Sequence, residues 1–207
     1  MVGWKEMWMN GLTLLALATT VLATELPSWR DLSKHYPGYK HNGKGQYTNL
    51  EIFAIVGKAP LPQERKEDTS ALRLSLAFNR LGGEHSLGAT EIHISKNHEH
   101  DSVMGRDGQQ YIYRTIAYGP FLAMKYGSPE LIRTDPLKPG LAEKTIKDRR
   151  GIVRYVLFHK SSKLADARIG LWDCDQLLNM RQLNHIHHLI SVEFWELPGS
   201  KCENSDK

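Results

Sequence analysis

The strongest helical pattern of apolar residues begins after Asp68, Thr69 and Ser70, three residue types that favour the start of a helix. In the sequence ALRLSLAFNRLGG that follows, an apolar residue recurs every three or four positions, and this spacing gives one apolar face. Gly82 and Gly83 provide a stop at the C-terminal end. The pattern predicts a central, buried helix.

Two shorter helices are indicated elsewhere in the chain. One begins near Ser28, carries its apolar residues on one side, and ends before Pro37 and Gly38. A loop rich in glycine, lysine and histidine follows it. The other is predicted around Phe121 to Tyr126, before a loop with several prolines.

Five segments have the alternating or continuous apolar pattern of β-strands. They are TEIHI from Thr90, QYIYRT from Gln110, GIVRYVLF from Gly151, ARIGLW from Ala167 and SVEFWEL from Ser191. Helices that precede a set of strands are typical of an α+β fold, whereas a parallel doubly wound sheet alternates strand and helix. We therefore predict one α+β domain over residues 24–207, with helices followed by an antiparallel sheet.

The N-terminal segment has the pattern of a secretory signal peptide. Lys5 precedes an apolar run, GLTLLALATTVL, and small or aliphatic residues lie where a signal peptidase cuts. We predict a signal peptide over residues 1–23, cleavage after Ala23, and a secreted, extracellular chain. An uncleaved anchor or a buried helix is the alternative, but the run is about half of the ~20 residues that a spanning helix needs.

Composition and charge exclude few functional classes. The chain has 207 residues and a formal net charge of +4, and its apolar and charged fractions are those of a globular domain. A mild positive charge favours acidic partners such as cell walls, membrane surfaces or nucleic acid. We find no nucleic-acid motif, no repeat of fixed period, and no second apolar stretch of spanning length. The sequence thus predicts no nucleic-acid partner and no membrane span after signal cleavage.

The two cysteines, Cys174 and Cys202, are the chain's only thiols. An even number of cysteines in an exported chain indicates one disulfide. Two free thiols are the alternative, because the sequence does not show whether the two Cα atoms lie close together.

Two groups of histidines could ligate a metal ion. They are His93, His98 and His100 with Asp101, and His185, His187 and His188. Neither group has a recognised spacing such as the helical HExxH, and polar loops with titrating histidines are the commoner outcome. We predict no metal and no cofactor.

From about Pro27 to Pro198, the order of short motifs is similar to that of the fourth class of type VI secretion amidase effectors. The motifs are WRDLSKHYP, DTSALRLSLAFNRLGG, YIYR at 111–114, GSPELI at 127–132, GIV at 151–153, LW at 171–172 and WELP at 195–198. The second resembles the family's nucleophile helix, in which a cysteine is followed by a small residue, an apolar residue, arginine, an apolar residue and serine. None is specific alone, but their common order makes a chance resemblance improbable.

The resemblance implies a papain-like fold of the NlpC kind. It also implies a Cys, His and Asp triad that cleaves the amide between D-glutamate and diaminopimelate in peptidoglycan stem peptides, without a metal. In such folds the cysteine lies at a helix N-terminus, where the helix dipole and an imidazole stabilise the thiolate. The implied partner is therefore bacterial peptidoglycan.

This sequence departs from the family pattern at two of the three catalytic positions. Ser70 occupies the cysteine position, and a hydroxyl is far harder to ionise than a thiol. Arg168 occupies the histidine position, and a guanidinium cannot accept the nucleophile's proton. Asp175 matches the acidic position, and Asp68 adds negative charge that opposes an anionic nucleophile. We therefore predict that none of these positions is catalytic.

Each residue also has a structural interpretation. The Ser70 hydroxyl can cap the helix by accepting a backbone N–H. Arg168 can pair with Asp173 or Asp175, or, beside a helix N-terminus, it can bind a carboxylate together with Ser70.

Three functions stay open at this point. The first is a secreted pseudoenzyme that binds cell-wall stem peptides without cutting them. The second is an active antibacterial cell-wall hydrolase with Ser70 as nucleophile and a displaced base such as His159, or with Cys174 as a substitute nucleophile. The third is a protein-interaction module or decoy, which predicts an exposed apolar patch and an occluded groove.

Overall fold

The computed structural model of the chain describes residues 23–38, 47–57, 68–95, 100–135, 137–138, 140–159, 164–178 and 189–202. The predicted signal peptide, residues 1–23, lies outside these ranges except for Ala23. His98 and the histidines at 185, 187 and 188 also lie outside them. In the part of the chain that is described, no helix is both long enough and apolar enough to cross a bilayer.

Helices and strands follow one another in an α+β order. The helices in the described ranges are α1 (Trp29–His35), α2 (Asn49–Val56), α3 (Ser70–Leu81), α4 (Thr115–Tyr126) and α5 (Leu141–Thr145). The strands are β1 (Ser102–Met104), β2 (Gln110–Ile112), β3 (Glu130–Ile132), β4 (Arg149–His159), β5 (Leu164–Cys174), β6 (Gln176–Leu177) and β7 (Leu189–Glu196). β1 pairs with β2, and the other strands form one antiparallel sheet in the order β3-β7-β4-β5-β6.

Strands β4 and β5 form the centre of the sheet and pair over their whole length, with β7 on the other side of β4. Ile152 of β4 packs into the main core with α1, α3 and α4. The next residue, Val153, points to the opposite face and packs in a second cluster with Ala142 of α5. Because both faces are buried, β4 contains the run GIVRYVLF, in which Arg154 is the only charged residue.

Helix α3 lies at the centre of the molecule, as the sequence predicts. Leu74 and Phe78 pack into the main core with α1 and α4. Leu72 and Leu76, on the other side of the helix, pack against residues of α2. The helix is therefore enclosed by three other helices and by the sheet.

The fully buried Arg73 of α3 anchors the chain around that helix. Its guanidinium donates hydrogen bonds of 2.6 to 3.2 Å to the carbonyl oxygens of Pro37, Gly38 and Tyr47, to Asn49 Oδ1 and to Thr69 Oγ1. A buried guanidinium is tolerated only when its N–H groups are satisfied in this way. Arg73 thereby ties the end of α1 and the start of α2 to α3.

Helix α4 contains Pro120, which has no N–H to give to the carbonyl of Ile116 one turn earlier. Arg154 of β4 supplies the missing donor, from Nη2 to that carbonyl at 2.9 Å, while its Nη1 donates to Glu193 at 2.7 Å. The guanidinium approaches closely because residue 119 is glycine. A Cβ at Gly119 would lie 2.5 Å from Arg154 Nη1.

Two predicted strand segments are wrong in part. TEIHI, residues 90–94, is extended but is not a strand, because its N–H groups at Ile92 and Ile94 bond to side chains of Ser102 and Asp101. The predicted strand QYIYRT ends at Ile112, since α4 already begins at residue 115 and not near residue 121.

Helix α2 is not among the helices that were predicted from the sequence. The hydroxyl of Thr48 accepts the N–H of Glu51 at 3.2 Å, and the Glu51 carboxylate accepts the N–H of Thr48 at 2.6 Å. This reciprocal capping box begins the helix, and Gly57 ends it in the left-handed conformation. The spacing T-x-x-E was a signal for the helix in the sequence.

The C-terminal segment is fastened to the rest of the fold. Cys174, at the end of β5, and Cys202 form a disulfide with their Cα atoms 6.0 Å apart. The carbonyl of Pro198 accepts the backbone N–H of Trp29 at 3.0 Å. The segment after β7 thus contacts both the start of α1 and the end of β5.

Candidate active site

Helix α3 and strand β5 meet at Ser70, the position aligned with the family's nucleophile. Ser70 is the first residue of α3 and is fully buried. Its hydroxyl oxygen accepts the backbone N–H of Ile169 at 3.4 Å. Because Arg168 precedes Ile169 in β5, this contact also brings Arg168 to the start of α3. The structure therefore brings together two of the three candidate residues.

The start of α3 is capped by the neighbours of Ser70. The backbone N–H of Ser70 donates to Asp68 Oδ1 at 2.9 Å. Thr69 is the N-cap residue, and its hydroxyl donates to Asn49 Oδ1 at 2.7 Å while it accepts from Arg73 Nε at 2.9 Å. The prediction that Ser70 caps its own helix is wrong, because Thr69 holds the cap position and the Ser70 hydroxyl accepts from β5.

Arg168 lies beside Asp68, with Nε 3.9 Å from Asp68 Oδ2 and the arginine side chain 45% exposed. This separation is longer than a hydrogen bond. Among the described residues, none accepts a hydrogen bond from the Arg168 guanidinium. The predicted pairing of Arg168 with Asp173 or Asp175 is wrong, since Asp173 accepts instead from Arg150 Nε at 2.7 Å.

Asp175 is remote from the other two candidate residues. It lies in an exposed turn between β5 and β6, and its backbone N–H donates to the carbonyl of Asp173 at 2.6 Å. Each strand residue rises about 3.3 Å, so Cys174 at the end of β5 is about 20 Å along the strand from Arg168. The three aligned positions do not form a triad in this structure.

No histidine with a described side chain hydrogen-bonds to the Ser70 hydroxyl. Ile169, whose N–H bonds to the Ser70 hydroxyl, pairs with Arg154 of β4. His159 ends β4 five positions beyond Arg154, so its backbone lies about 16 Å along the sheet from this pair. His85 lies beyond the opposite end of α3, about 18 Å along the helix axis. Neither position supports a displaced base for Ser70.

Tyr36 is buried near the start of α3, and the charges of Arg73 and Asp68 affect the pKa of its hydroxyl. Burial raises the pKa of Tyr36 far above its ordinary value; the nearby Arg73 opposes this shift and Asp68 adds to it. The phenol therefore stays protonated at neutral pH and cannot act as a base.

Cys174 cannot serve as a substitute nucleophile, because its sulfur is bonded to Cys202. In the described part of the chain, the only group of three potential metal ligands is Glu91, His93 and His100, and it does not include Ser70 or Arg168. The start of α3 thus offers a buried hydroxyl, a carboxylate and a half-exposed guanidinium. These groups can bind an anion, but none of them can activate the hydroxyl.

Comparison with known proteins identifies the fold. No protein family matches the sequence, and no curated protein matches it. The crystal structure of the type VI effector Tae4 from Enterobacter cloacae is similar, with a TM-score of 0.58 and 15% identity, over 85% of this chain and 99% of that one. The effector Tae4 from Salmonella typhimurium, in complex with the immunity protein Tai4 from Enterobacter cloacae, has a TM-score of 0.53 and 20% identity, over 83% and 99%. The chain has the Tae4 fold.

The similarity to Tae4 confirms the predicted fold class, an α+β papain-like fold of the NlpC kind with the nucleophile-position helix packed on an antiparallel sheet. A second Enterobacter cloacae structure, the Tae4–Tai4 effector–immunity complex, has a TM-score of 0.54 and 14% identity, over 83% of this chain and 98% of that one. At these identities the similarity to Tae4 establishes the fold, and the chemistry must be judged from the residues of this chain.

The sequence analysis predicted the effect of the Asp68 charge but not the two contacts that Asp68 makes. Its carboxylate holds the first N–H of α3 and also lies beside Arg168, 100 positions later in the chain. An aspartate that accepts an N–H two residues on is a recognised turn pattern, so the first contact could have been predicted. The second contact depends on the packing of β5 against α3 and has no local signal.

Proposed function

We propose that the chain is an exported, catalytically inactive relative of the type VI amidase effectors, and that it binds carboxylates of peptidoglycan stem peptides at Arg168. One observation supports this most directly. At the start of α3, the Ser70 hydroxyl is buried against β5, whereas the Arg168 guanidinium is half exposed and donates to no acceptor among the described residues.

The inactivity follows from the proton transfer that an amidase needs. A serine nucleophile needs a base within about 3.5 Å, and no described histidine hydrogen-bonds to Ser70. Asp68 places a negative charge beside the same helix start, which opposes the formation of an anionic nucleophile. Full burial of Ser70 also keeps a peptide carbonyl away from the hydroxyl.

The binding role rests on Arg168 rather than on Ser70, since a buried hydroxyl is not available to a ligand. A guanidinium can donate two parallel hydrogen bonds to a carboxylate. The N-terminus of α3 adds a partial positive charge at the same place, although Asp68 offsets part of it. Stem peptides carry several carboxylates, so they are suitable ligands.

Export is proposed from the N-terminal sequence, whose apolar run and small residues favour cleavage after Ala23. The disulfide between Cys174 and Cys202 supports an oxidising destination. N-terminal sequencing of the protein secreted from an expressing cell tests this part of the proposal. A mature chain that still begins at Met1 would contradict it.

Activity is tested by incubating the purified chain with diaminopimelate-type peptidoglycan fragments. We expect no new amine above the level of a protein-free control. Cleavage that disappears in the variant Ser70→Ala would overturn the proposal of inactivity.

Restoration of the family residues gives a second test of the site. Ser70→Cys combined with Arg168→His, with or without Asp68→Asn, should still give no detectable cleavage, because residue 70 is fully buried and Asp175 is remote from Arg168. Cleavage by either variant would show that a substrate reaches residue 70 and would contradict the proposal that burial prevents catalysis.

Binding is tested by sedimentation with insoluble peptidoglycan. Arg168→Ala should weaken binding about 10- to 100-fold, as expected for the loss of a hydrogen-bonded charge pair. Arg133→Ala, which removes the same charge from another exposed position, is the matched control and should bind like the wild type. Equal losses in both variants would indicate unspecific charge attraction and contradict an Arg168 site.

A protein-interaction module is the second candidate. The burial of Ser70 is the occlusion that this function predicts, and similar Tae4 structures were solved with the immunity protein Tai4 bound. Co-purification of the chain with Tai4, combined with no peptidoglycan binding by the wild type, would favour this candidate.

A further inference from the structure

Glu91, His93 and His100 bring three potential ligand atoms together on the surface, away from Ser70. These atoms all lie within 4.8 Å of one another. Glu91 Oε2 is 3.3 Å from His93 Nε2, and Glu91 Oε1 is hydrogen-bonded to His100 Nδ1. The two imidazole rings are 5.7 Å apart and tilted by 49°. The sequence analysis predicts no metal here from the histidines alone; the structure adds Glu91 to the group.

The position of Glu91 and His93 is fixed by the extended segment that carries them. They are two residues apart, so their side chains leave the segment on the same side. The fully buried carboxylate of Asp101 accepts the N–H groups of Ile94 and Ser95, both at 2.7 Å, and the Ser95 hydroxyl at 2.5 Å. A buried carboxylate thus holds the segment against the residue that follows His100.

The position of His100 is fixed from two directions. Its carbonyl accepts the Tyr113 hydroxyl at 2.9 Å. On the other side, Asp101 N–H donates to the carbonyl of Ile92 at 3.2 Å, and the Ser102 hydroxyl accepts the Ile92 N–H at 2.9 Å. The ligands therefore lie on two neighbouring stretches of backbone that are hydrogen-bonded to each other.

The ligand types and their spacing suit zinc. Two imidazoles and one carboxylate form a known three-residue zinc set, with bonds of about 2.0–2.2 Å. In a tetrahedral site with such bonds, neighbouring ligand atoms are about 3.3 Å apart, which matches the Glu91–His93 separation. A single carboxylate with two imidazoles is a poor set for calcium or magnesium, which prefer oxygen ligands.

We propose that Glu91, His93 and His100 form a binding site for a zinc ion. All three side chains are exposed, which leaves an entry path for the ion.

The test is to titrate the folded chain with Zn²⁺ at pH 7.5 and to measure the affinity and stoichiometry by isothermal titration calorimetry and by equilibrium dialysis. We expect that His93→Gln combined with His100→Gln removes one zinc equivalent per chain. The control His185→Gln with His187→Gln removes the same number of histidines from the other histidine-rich segment and should keep that equivalent. Far-UV circular dichroism checks that each variant is folded.

A single variant at the carboxylate provides an independent measurement. Glu91→Gln should weaken zinc binding by more than about tenfold, because loss of a ligand costs at least as much as loss of an outer-shell partner. Zn²⁺ should also raise the melting temperature of the wild type and leave that of the double histidine variant unchanged. The proposal is overturned if the wild type binds no stoichiometric zinc, or if either site variant binds it with unchanged affinity.

Discussion

Two arginines near the start of α3 have contrasting surroundings. Arg73 is fully buried, and its guanidinium donates to five acceptors around the helix. Arg168 is 45% exposed, and its nearest described anion, Asp68, is 3.9 Å away. Removal of Arg73 leaves buried acceptors without donors, whereas removal of Arg168 leaves Asp68 still bonded to the N–H of Ser70. Only Arg168 can therefore be used for a ligand without loss of the fold.

The largest effect is expected for Arg73→Met. The variant keeps an apolar stem but leaves several buried carbonyl groups without donors, which destabilises the fold by about 3–5 kcal/mol. For a domain of this size, the melting temperature should fall by roughly 10 °C. Thermal unfolding followed by circular dichroism measures the change. A fall no larger than that of Arg168→Met would remove the contrast between the two arginines.

The next-largest loss of stability is expected for a replacement beside Arg154, another buried arginine. Gly119→Ala places a Cβ 2.5 Å from Arg154 Nη1, so the arginine must move from Glu193 and from the carbonyl that Pro120 leaves open. We expect a loss of about 1–3 kcal/mol, measured by urea unfolding. In the background Arg154→Met, the same glycine replacement should be less costly. Independent effects of the two changes would contradict this account of Gly119.

Arg168→Ala should change the free energy of unfolding by less than about 0.5 kcal/mol, because a half-exposed ion pair at 3.9 Å contributes little. The same variant is expected to lose peptidoglycan binding, so one replacement separates stability from binding. Urea unfolding of Arg168→Ala and the wild type measures the first quantity. A loss comparable to that of Arg73→Met would mean that Arg168 is a structural residue.

The smallest effect is expected at His85, beyond the other end of α3. Burial lowers the pKa of His85. Its contribution to stability is present above the unfolded-state pKa of about 6.5 and is lost as the pH falls through the folded-state pKa. Between pH 7.5 and 5.5, the melting temperature of the wild type should fall slightly more than that of His85→Gln. His35→Gln is the control, and a pH dependence equal to that of the wild type in His85→Gln would contradict the assignment.

The elements that the sequence predicts best are those whose apolar pattern is produced by burial. Helix α3 and strand β4 were predictable because each is enclosed on both sides, and enclosure leaves a long apolar run. The start of α4 was not predictable in this way, since Gly119 and Pro120 normally indicate the end of a helix. They are tolerated because Arg154 in β4 supplies the hydrogen bonds, and that partner is 34 positions away from Pro120.

The candidate site was predicted only where its geometry follows from the fold. The meeting of Ser70 and Arg168 follows from the fold, which the resemblance already implied. Asp175 was aligned by its place in the sequence, but the turn after β5 carries it away from α3. The pairing of Arg168 with Asp68 joins a strand to a helix start, so no pattern of neighbouring residues contains it.

The C-terminal segment is held by hydrogen bonds and by one covalent bond, and the two respond differently to the redox environment. The tail after β7 contacts the start of α1 through the carbonyl of Pro198 and the start of β4 through the carbonyl of Lys201, which accepts a hydrogen bond from Arg150. In a reducing cytosol these contacts alone hold the tail, because Cys174 and Cys202 stay as thiols. Under oxidising conditions the disulfide adds a covalent bond to these contacts, so the oxidised chain should be more resistant to proteases than the reduced chain.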